Sequence, residues 1–290
     1  YDFVVTTANA AGTSPKAKFS AFVGNGTPAA TTATLTYQDG MMKLSWTPVT
    51  TTVEGGYIDA AAVTYKVTRF PGEVVVAENT TATTFSEPMA ESGSLESVYY
   101  TVAAKAAGIE GAAAQSNAVS LGSIVPPYTN AFGVASDLDG FTIIDANNDG
   151  KTWSIYNGAA RAIYNSSKDM DDWLITPGVK LEAGKLYKVT FEASSNGTSF
   201  PERIEAKWGT MASAAGMTET LVPATVLSSS VYVELGDYIV PTADGTYYIG
   251  LHGISDADMY YLYVRNLSIS APMAATCLLY TSPSPRDRTR

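Results

Sequence analysis

The sequence is poor in the residues that do most chemistry. In 290 residues there is one cysteine, Cys277, and one histidine, His252. A lone cysteine rules out an intramolecular disulfide, and with it a small disulfide-stapled scaffold. A lone histidine rules out a two-histidine zinc site. Any Ser/His/Asp triad would have to rest on His252, and no Gly-x-Ser-x-Gly elbow precedes it. Without another general base near neutral pH the chain reads as a non-enzyme, with carboxylate hydrolysis the one open route. Charged residues make up only 16% of the chain and sum to −10. Nucleic-acid binding needs clustered Lys and Arg on the phosphates, so no nucleic-acid partner is expected. No run of about 18 apolar residues occurs, so no membrane span is expected. The chain opens on Tyr1 without a secretion signal, which is expected to lie in a preceding stretch of the gene product.

What is abundant favours strands. The hydrophobic share is 46%, and it leans on Ala, Val and Tyr among many Thr and Ser, a composition for β-structure. Tyr1-Asp-Phe3-Val-Val5-Thr-Thr7 alternates with period two and predicts a half-buried strand that turns at Gly12. A similar phrase returns at Val98-Tyr-Tyr100-Thr-Val102-Ala-Ala104 before Gly108, about one sandwich-domain length later. From Tyr128 onward short strands are predicted at 141–144, 172–175, 186–193, 202–208, 231–235, 245–252 and 260–269. The turns Asn148-Asp-Gly, Asn196-Gly and Ala243-Asp-Gly separate them. Only 210–220 looks helical, and weakly. The fold class expected is all-β, two kinds of sandwich in tandem.

Trp46 in Met42-Lys-Leu44-Ser-Trp46, the strand around Tyr65 and the Tyr-x-Tyr-x-Val strand before Gly108 resemble a fibronectin type III domain over 27–122. Residues 1–26 then resemble the last strands of a preceding, truncated copy. Turn-rich connectors at Gly24-Asn-Gly-Thr-Pro28 and Gly122-Ser-Ile-Val-Pro126-Pro127 bound the domain.

Beyond it, Asp145-Ala-Asn147-Asn-Asp149-Gly150 precedes Trp153, and Asp171-Asp172-Trp173-Leu-Ile-Thr-Pro177 leads into alternating Leu181 to Phe191. This order resembles the cleaved-adhesin modules of secreted Bacteroidota proteins, known from the haemagglutinin regions of gingipain proteases. The resemblance covers 126–270, about half the chain, and the domain is placed at 123–271. It implies a jelly-roll β-sandwich, often calcium-bearing, that binds and does not catalyse. Residues 272–290 resemble translated sequencing-adapter read-through; a natural disordered basic tail is the alternative.

Asp145, Asn147 and Asp149 place oxygen ligands on alternate residues of a tight turn, as a Ca²⁺ site requires. Tyr156 stands where an EF-hand needs its bidentate Glu, so this is no EF-hand. Calcium and a plain polar turn both remain open. The family also draws on an acidic pair of its last strand, which here reads Arg265-Asn266. Asp169, Asp171 and Asp172 read as an acidic turn entering the Trp173 strand, as second-site calcium ligands, or as hydrolase carboxylates that would need a raised pKa. His252, Asp256, Asp258 and Tyr260 form the candidate binding edge, with Trp208 as a further exposed aromatic. Rings offer flat surfaces to sugars or partner side chains, and carboxylates accept hydroxyl hydrogen bonds.

The function expected is non-catalytic attachment, by a secreted or cell-surface protein, to glycans or to host and matrix proteins. The fibronectin-like domains act as spacers, and other modules of the same longer chain act alongside. The alternative is the accessory region of a secreted glycanase or protease.

Overall fold

The computed structural model describes residues 1–90 and 93–274. Cys277 and the adapter-like stretch from residue 275 onward lie outside the described residues. Those described form two compact units, 1–90 with Ser97–Val119, and 93–96 with 120–274. Both are built from strands. Among the described residues there is no α-helix, only the short 3-10 turns Ala60–Ala62, Ala135–Leu138 and Ala214–Gly216. No helix there is long and apolar enough to cross a membrane.

In the first unit, Asp2–Val5 pairs antiparallel with Ala17–Ser20. The period-two pattern predicted half-burial, yet every residue of both strands is exposed. An apolar contact across the pair is a stack of Phe3 on Phe19 at 5.0 Å. The remainder is a two-sheet sandwich. Ala33–Gln38, Met41–Trp46 and Thr84–Pro88 form one sheet. Thr64–Phe70, Val74–Thr80 and Glu96–Ala106 carry the other. Trp46 and Tyr65 meet edge to face at 5.5 Å and join the two layers. The Tyr65 hydroxyl accepts the Val49 N–H at 2.9 Å, so the buried ring keeps its polar end satisfied.

The second unit holds a seven-stranded and a six-stranded antiparallel sheet. The seven-stranded sheet runs Trp153–Tyr156, Ala159–Ile163, Tyr261–Ile269, Lys185–Ser194, Val233–Ile239, with Tyr128–Asn130 also pairing with Tyr261–Ile269 and Met273–Ala274 with Lys185–Ser194. The six-stranded sheet runs Thr142–Asp145, Asp172–Ile175, Gly245–Gly253, Glu202–Gly209, Glu219–Leu227, with Val179–Leu181 also pairing with Gly245–Gly253. Alternation gives each central strand one apolar face. Val189, Phe191, Leu262 and Val264 meet Leu174, Ile204, Ala206 and Leu251 in a single core. Met273–Ala274, inside the stretch expected to be a disordered tail, pairs with Lys185 and Leu186.

Two strand boundaries moved for physical reasons. The strand expected at 231–235 runs Val233–Ile239. Gly236 reads as a turn residue, but a Cβ there would stand 2.1 Å from the Val189 oxygen, so glycine lets the strand continue against its neighbour. The weakly helical 210–220 is one 3-10 turn followed by the strand Glu219–Leu227. A bulge also interrupts Tyr261–Ile269. Pairing slips between Thr190 and Glu192, and Asn266 takes a left-handed φ of 53°. The extra residue shifts the alternation, so Leu262 and Val264 as well as Leu267 and Ile269 all reach the core.

Candidate functional site

The acidic pair at the entry to Asp172–Ile175 is divided by the strand's own pleat, because consecutive side chains leave opposite faces. Asp172 lies in the row with Gly253 and Ile204 on the core side. Asp171 hydrogen-bonds His252 on the outer side. The two acids therefore serve different surroundings.

On the core side, Asp172 is 1% exposed, and its Oδ1 has no hydrogen-bond partner. The buried Thr152 hydroxyl lies close enough to lower the Asp172 carboxyl but makes no hydrogen bond of ordinary geometry. Burial pushes the Asp172 carboxyl up to about 7; Thr152 lowers it, and the charges of Asp145, Asp149 and Asp171 add to the rise. The loop beside it is tied by its own side chains. Asp145 accepts the N–H groups of Asp149 and Gly150 at 3.0 and 2.8 Å, and Asn147 Oδ1 accepts the Asp149 N–H at 3.1 Å. Among the described residues no three Asp, Glu, His or Cys side chains already stand as a metal cluster. What fits a hard cation here is the orphaned Asp172 carboxylate and Thr152 hydroxyl beside two acids that retain lone pairs. The last-strand pair does not contribute: Arg265 Nε and Asn266 Nδ2 both donate to Glu192, at 2.7 and 3.1 Å.

On the outer side of the same sheet, Trp173, His252 and Glu205 stand in one cross-strand row. The His252 ring stacks on Trp173 with centroids 3.8 Å apart. Its Nε2 meets Asp171 at 2.7 Å and its Nδ1 meets Glu205 at 2.9 Å. Lys207 closes the row with an ion pair to Glu205 at 2.9 Å. Burial raises the Glu205 carboxyl, but the bonds to His252 and Lys207 outweigh it and hold the group below its usual range. Both histidine nitrogens are engaged, so neither is free to act as a general base. Next to this row an open depression of about 630 Å³ is lined by Asn147, Asp169, Asp171, Arg203, His252 and Asp256, among others.

The outer face of the seven-stranded sheet is aromatic. Tyr261 lies 4.0 Å from Tyr260, 5.9 Å from Tyr164 and 6.1 Å from Tyr263, and Phe200 joins at 5.4 Å from Tyr260. Tyr156 is 45% exposed on the edge strand. Arg161 lies over two of these rings, 4.0 Å from the Tyr156 centroid and 4.6 Å from that of Tyr261. Arg265 lies 3.8 Å over Tyr232. The start of the ladder is anchored from inside. The wholly buried Glu202 accepts the Tyr260 N–H at 2.7 Å, and burial pushes its carboxyl up.

The expected binding residues are thus dispersed. His252 and Asp256 share the open depression with Asn147, and Asp256 pairs with Arg203 at 3.4 Å. Asp258 sits in a turn with φ 59°, its N–H bonded to the Asn165 carbonyl. Tyr260 belongs to the ladder on the other sheet. Trp208, expected to be exposed, follows Ile204 and Ala206 on the inward row and packs half-buried against the core and Tyr247. Tyr156 and Arg161 were missed because the hairpin that carries them was not recognised. Its signal was present: Asn157-Gly158, both with positive φ of 49° and 77°, joins two short alternating runs, the strongest local sign of a two-residue hairpin.

No family model and no curated protein matches the sequence. Among solved structures, the K1 cleaved adhesin domain of Lys-gingipain from Porphyromonas gingivalis W83 is 18% identical with a TM-score of 0.40, over 50% of this chain and 97% of that one. The K3 cleaved adhesin domain of the same protein is 17% identical with a TM-score of 0.40, over 50% and 98%. The CBM22-1 xylan-binding domain of Paenibacillus barcinonensis Xyn10C is 11% identical with a TM-score of 0.36, over 51% and 95%. All three are β-sandwich domains.

Proposed function

We propose that the chain is part of a secreted or cell-surface protein and that its C-terminal sandwich is a non-catalytic glycan-binding module. The observation that carries this reading is the ladder of Tyr164, Tyr260, Tyr261 and Tyr263 with Tyr156 at its edge, all on one outer face. Partly exposed rings on a rigid sheet present flat apolar area with hydroxyl groups at its rim, which suits a sugar ring and costs little ordering. Residues 27–122 act as a fibronectin-III-like spacer; the support is the interlayer contact of Trp46 with Tyr65, whose strand pairs with Glu96–Ala106. The test is a broad glycan array probed with the full chain. Specific signal that falls in Tyr261→Ala supports the reading, and a blank array moves the ligand to proteins.

Calcium is the proposed cofactor of the loop end. Asp145, Asn147 and Asp149 would hold it together with Asp172, whose buried partnerless oxygen supports the assignment. Bound there, the ion would neutralise the acids and fix the loop. Thermal melts of the full chain at pH 7.5, with calcium and with chelator, test this. A stabilisation that disappears in Asp172→Asn supports the site, and identical melts reduce the loop to a turn.

A further inference from the structure

The two arginines on the tyrosine face are in different states. Arg265 lies over Tyr232, and its Nε is bonded to Glu192 at 2.7 Å. Arg161 lies over Tyr156 and Tyr261, but its guanidinium makes no ion pair or hydrogen bond to any described residue. Its Nε is shut away without an acceptor, whereas the Nη groups are not among the buried atoms. A guanidinium carries five N–H donors in a planar fork and is normally satisfied by a carboxylate or carbonyl oxygen. This fork is held between rings and left open.

Its surroundings suit a sugar. Arg161 stands directly opposite Tyr263 and Ser154 in the sheet register, so all three share one face. A depression of about 210 Å³ beside them is lined by Tyr156, Asn157, Asn196, Ser230, Tyr232 and Tyr263. Both Arg–Tyr stacks contribute a ring to it. The hydroxyl and amide groups match sugar hydroxyls, the rings match a pyranose face, and the Nη pair of Arg161 matches one carboxylate end-on. The chain's net charge of −10 opposes any polyanion at long range, so recognition there must come from such a local contact.

We infer that this face binds uronic-acid-containing polysaccharide, with Arg161 receiving the uronate carboxylate and the tyrosines stacking on the sugar rings. The inference rests on the glycan-binding reading of the same face and names the ligand class. Lys at this position would keep the charge and lose the fork.

The test titrates the full chain with alginate, polygalacturonate and glucuronoxylan oligosaccharides. Each is paired with its carboxyl-reduced form, in which a neutral CH2OH replaces the carboxylate on the same backbone. The expected result is at least tenfold tighter binding of one acidic form than of its reduced partner. In Arg161→Gln that preference vanishes, so that the acidic form binds no more tightly than its reduced partner. Arg265→Gln, whose guanidinium is already engaged by Glu192, keeps the preference. If Arg161→Gln does not fold, Arg161→Lys replaces it and is expected to lose most of the preference. Equal affinity for acidic and reduced forms, or a preference that survives the Arg161 variants, overturns the uronate assignment and leaves glycan binding standing. Binding to neither form overturns both.

Discussion

The two outer faces of the C-terminal sandwich carry similar materials to different ends. On the six-stranded sheet, Trp173, His252, Glu205 and Lys207 close on one another, and both histidine nitrogens and the Glu205 carboxylate have partners. On the seven-stranded sheet, rings stack on rings, and one of two guanidiniums is left without an acceptor. A polar group that finds its partner inside the protein contributes to stability. One held in place without a partner is available to something else. The contrast separates a face that is finished by folding from one that a ligand would complete.

The largest expected effect falls on the finished face. Trp173 is buried between His252 and a satellite cluster with Ile175 and Met217. Trp173→Ala should cost about 3–5 kcal/mol in urea denaturation, while the folded fraction binds glycan as before. A loss of affinity at full folding would blur the division. His252→Ala leaves Glu205 without one of its partners and should cost about 2 kcal/mol, again without effect on affinity.

Asp172 sharpens the comparison from the interior. Its folded pKa is near 7 and the unfolded value is about 3.9. Between those values the folded state binds a proton that the unfolded state does not. This contribution to stability is therefore fully present below about pH 4 and is lost as pH rises through 7. In chelator, Asp172→Asn should be more stable than the parent at pH 8 by about 2 kcal/mol. Its stability should also change less between pH 5 and pH 8. Urea titrations at the two pH values check this, and parallel curves for the two proteins would contradict it. On the open face the stability effect is smallest. Tyr261→Ala should cost about 1 kcal/mol of stability but lower glycan affinity about tenfold, read by calorimetry.

Much of the architecture was legible because it depends on period. Asp172–Ile175, Lys185–Ser194 and Gly245–Gly253 fall within a residue or so of their expected limits. Their alternation alone separates the core face from the outer face. The bulge at Asn266 was not legible, since it depends on how two distant strands align. Nor was the fate of the acids. Sequence proximity put Asp171 and Asp172 together, and the pleat sent them to opposite faces. For the site, Tyr260 was visible as an aromatic among acids. That Arg161 would go unpaired and Arg265 would find Glu192 was not, because pairing is decided by strand order. Trp208 shows the reverse error, a residue chosen for its chemistry that its strand parity had already committed to the core side.

The most direct test is hydroxyl-radical footprinting of the full chain, free and saturated with the best-binding uronate polysaccharide of the panel, read by mass spectrometry. Protection of Tyr156, Tyr232, Tyr261 and Tyr263, with His252 and the 211–217 loop unchanged, is the predicted result. Protection centred on His252 and Asp171, with the tyrosines still oxidised, would contradict it and move the ligand to the depression beside the calcium-type loop.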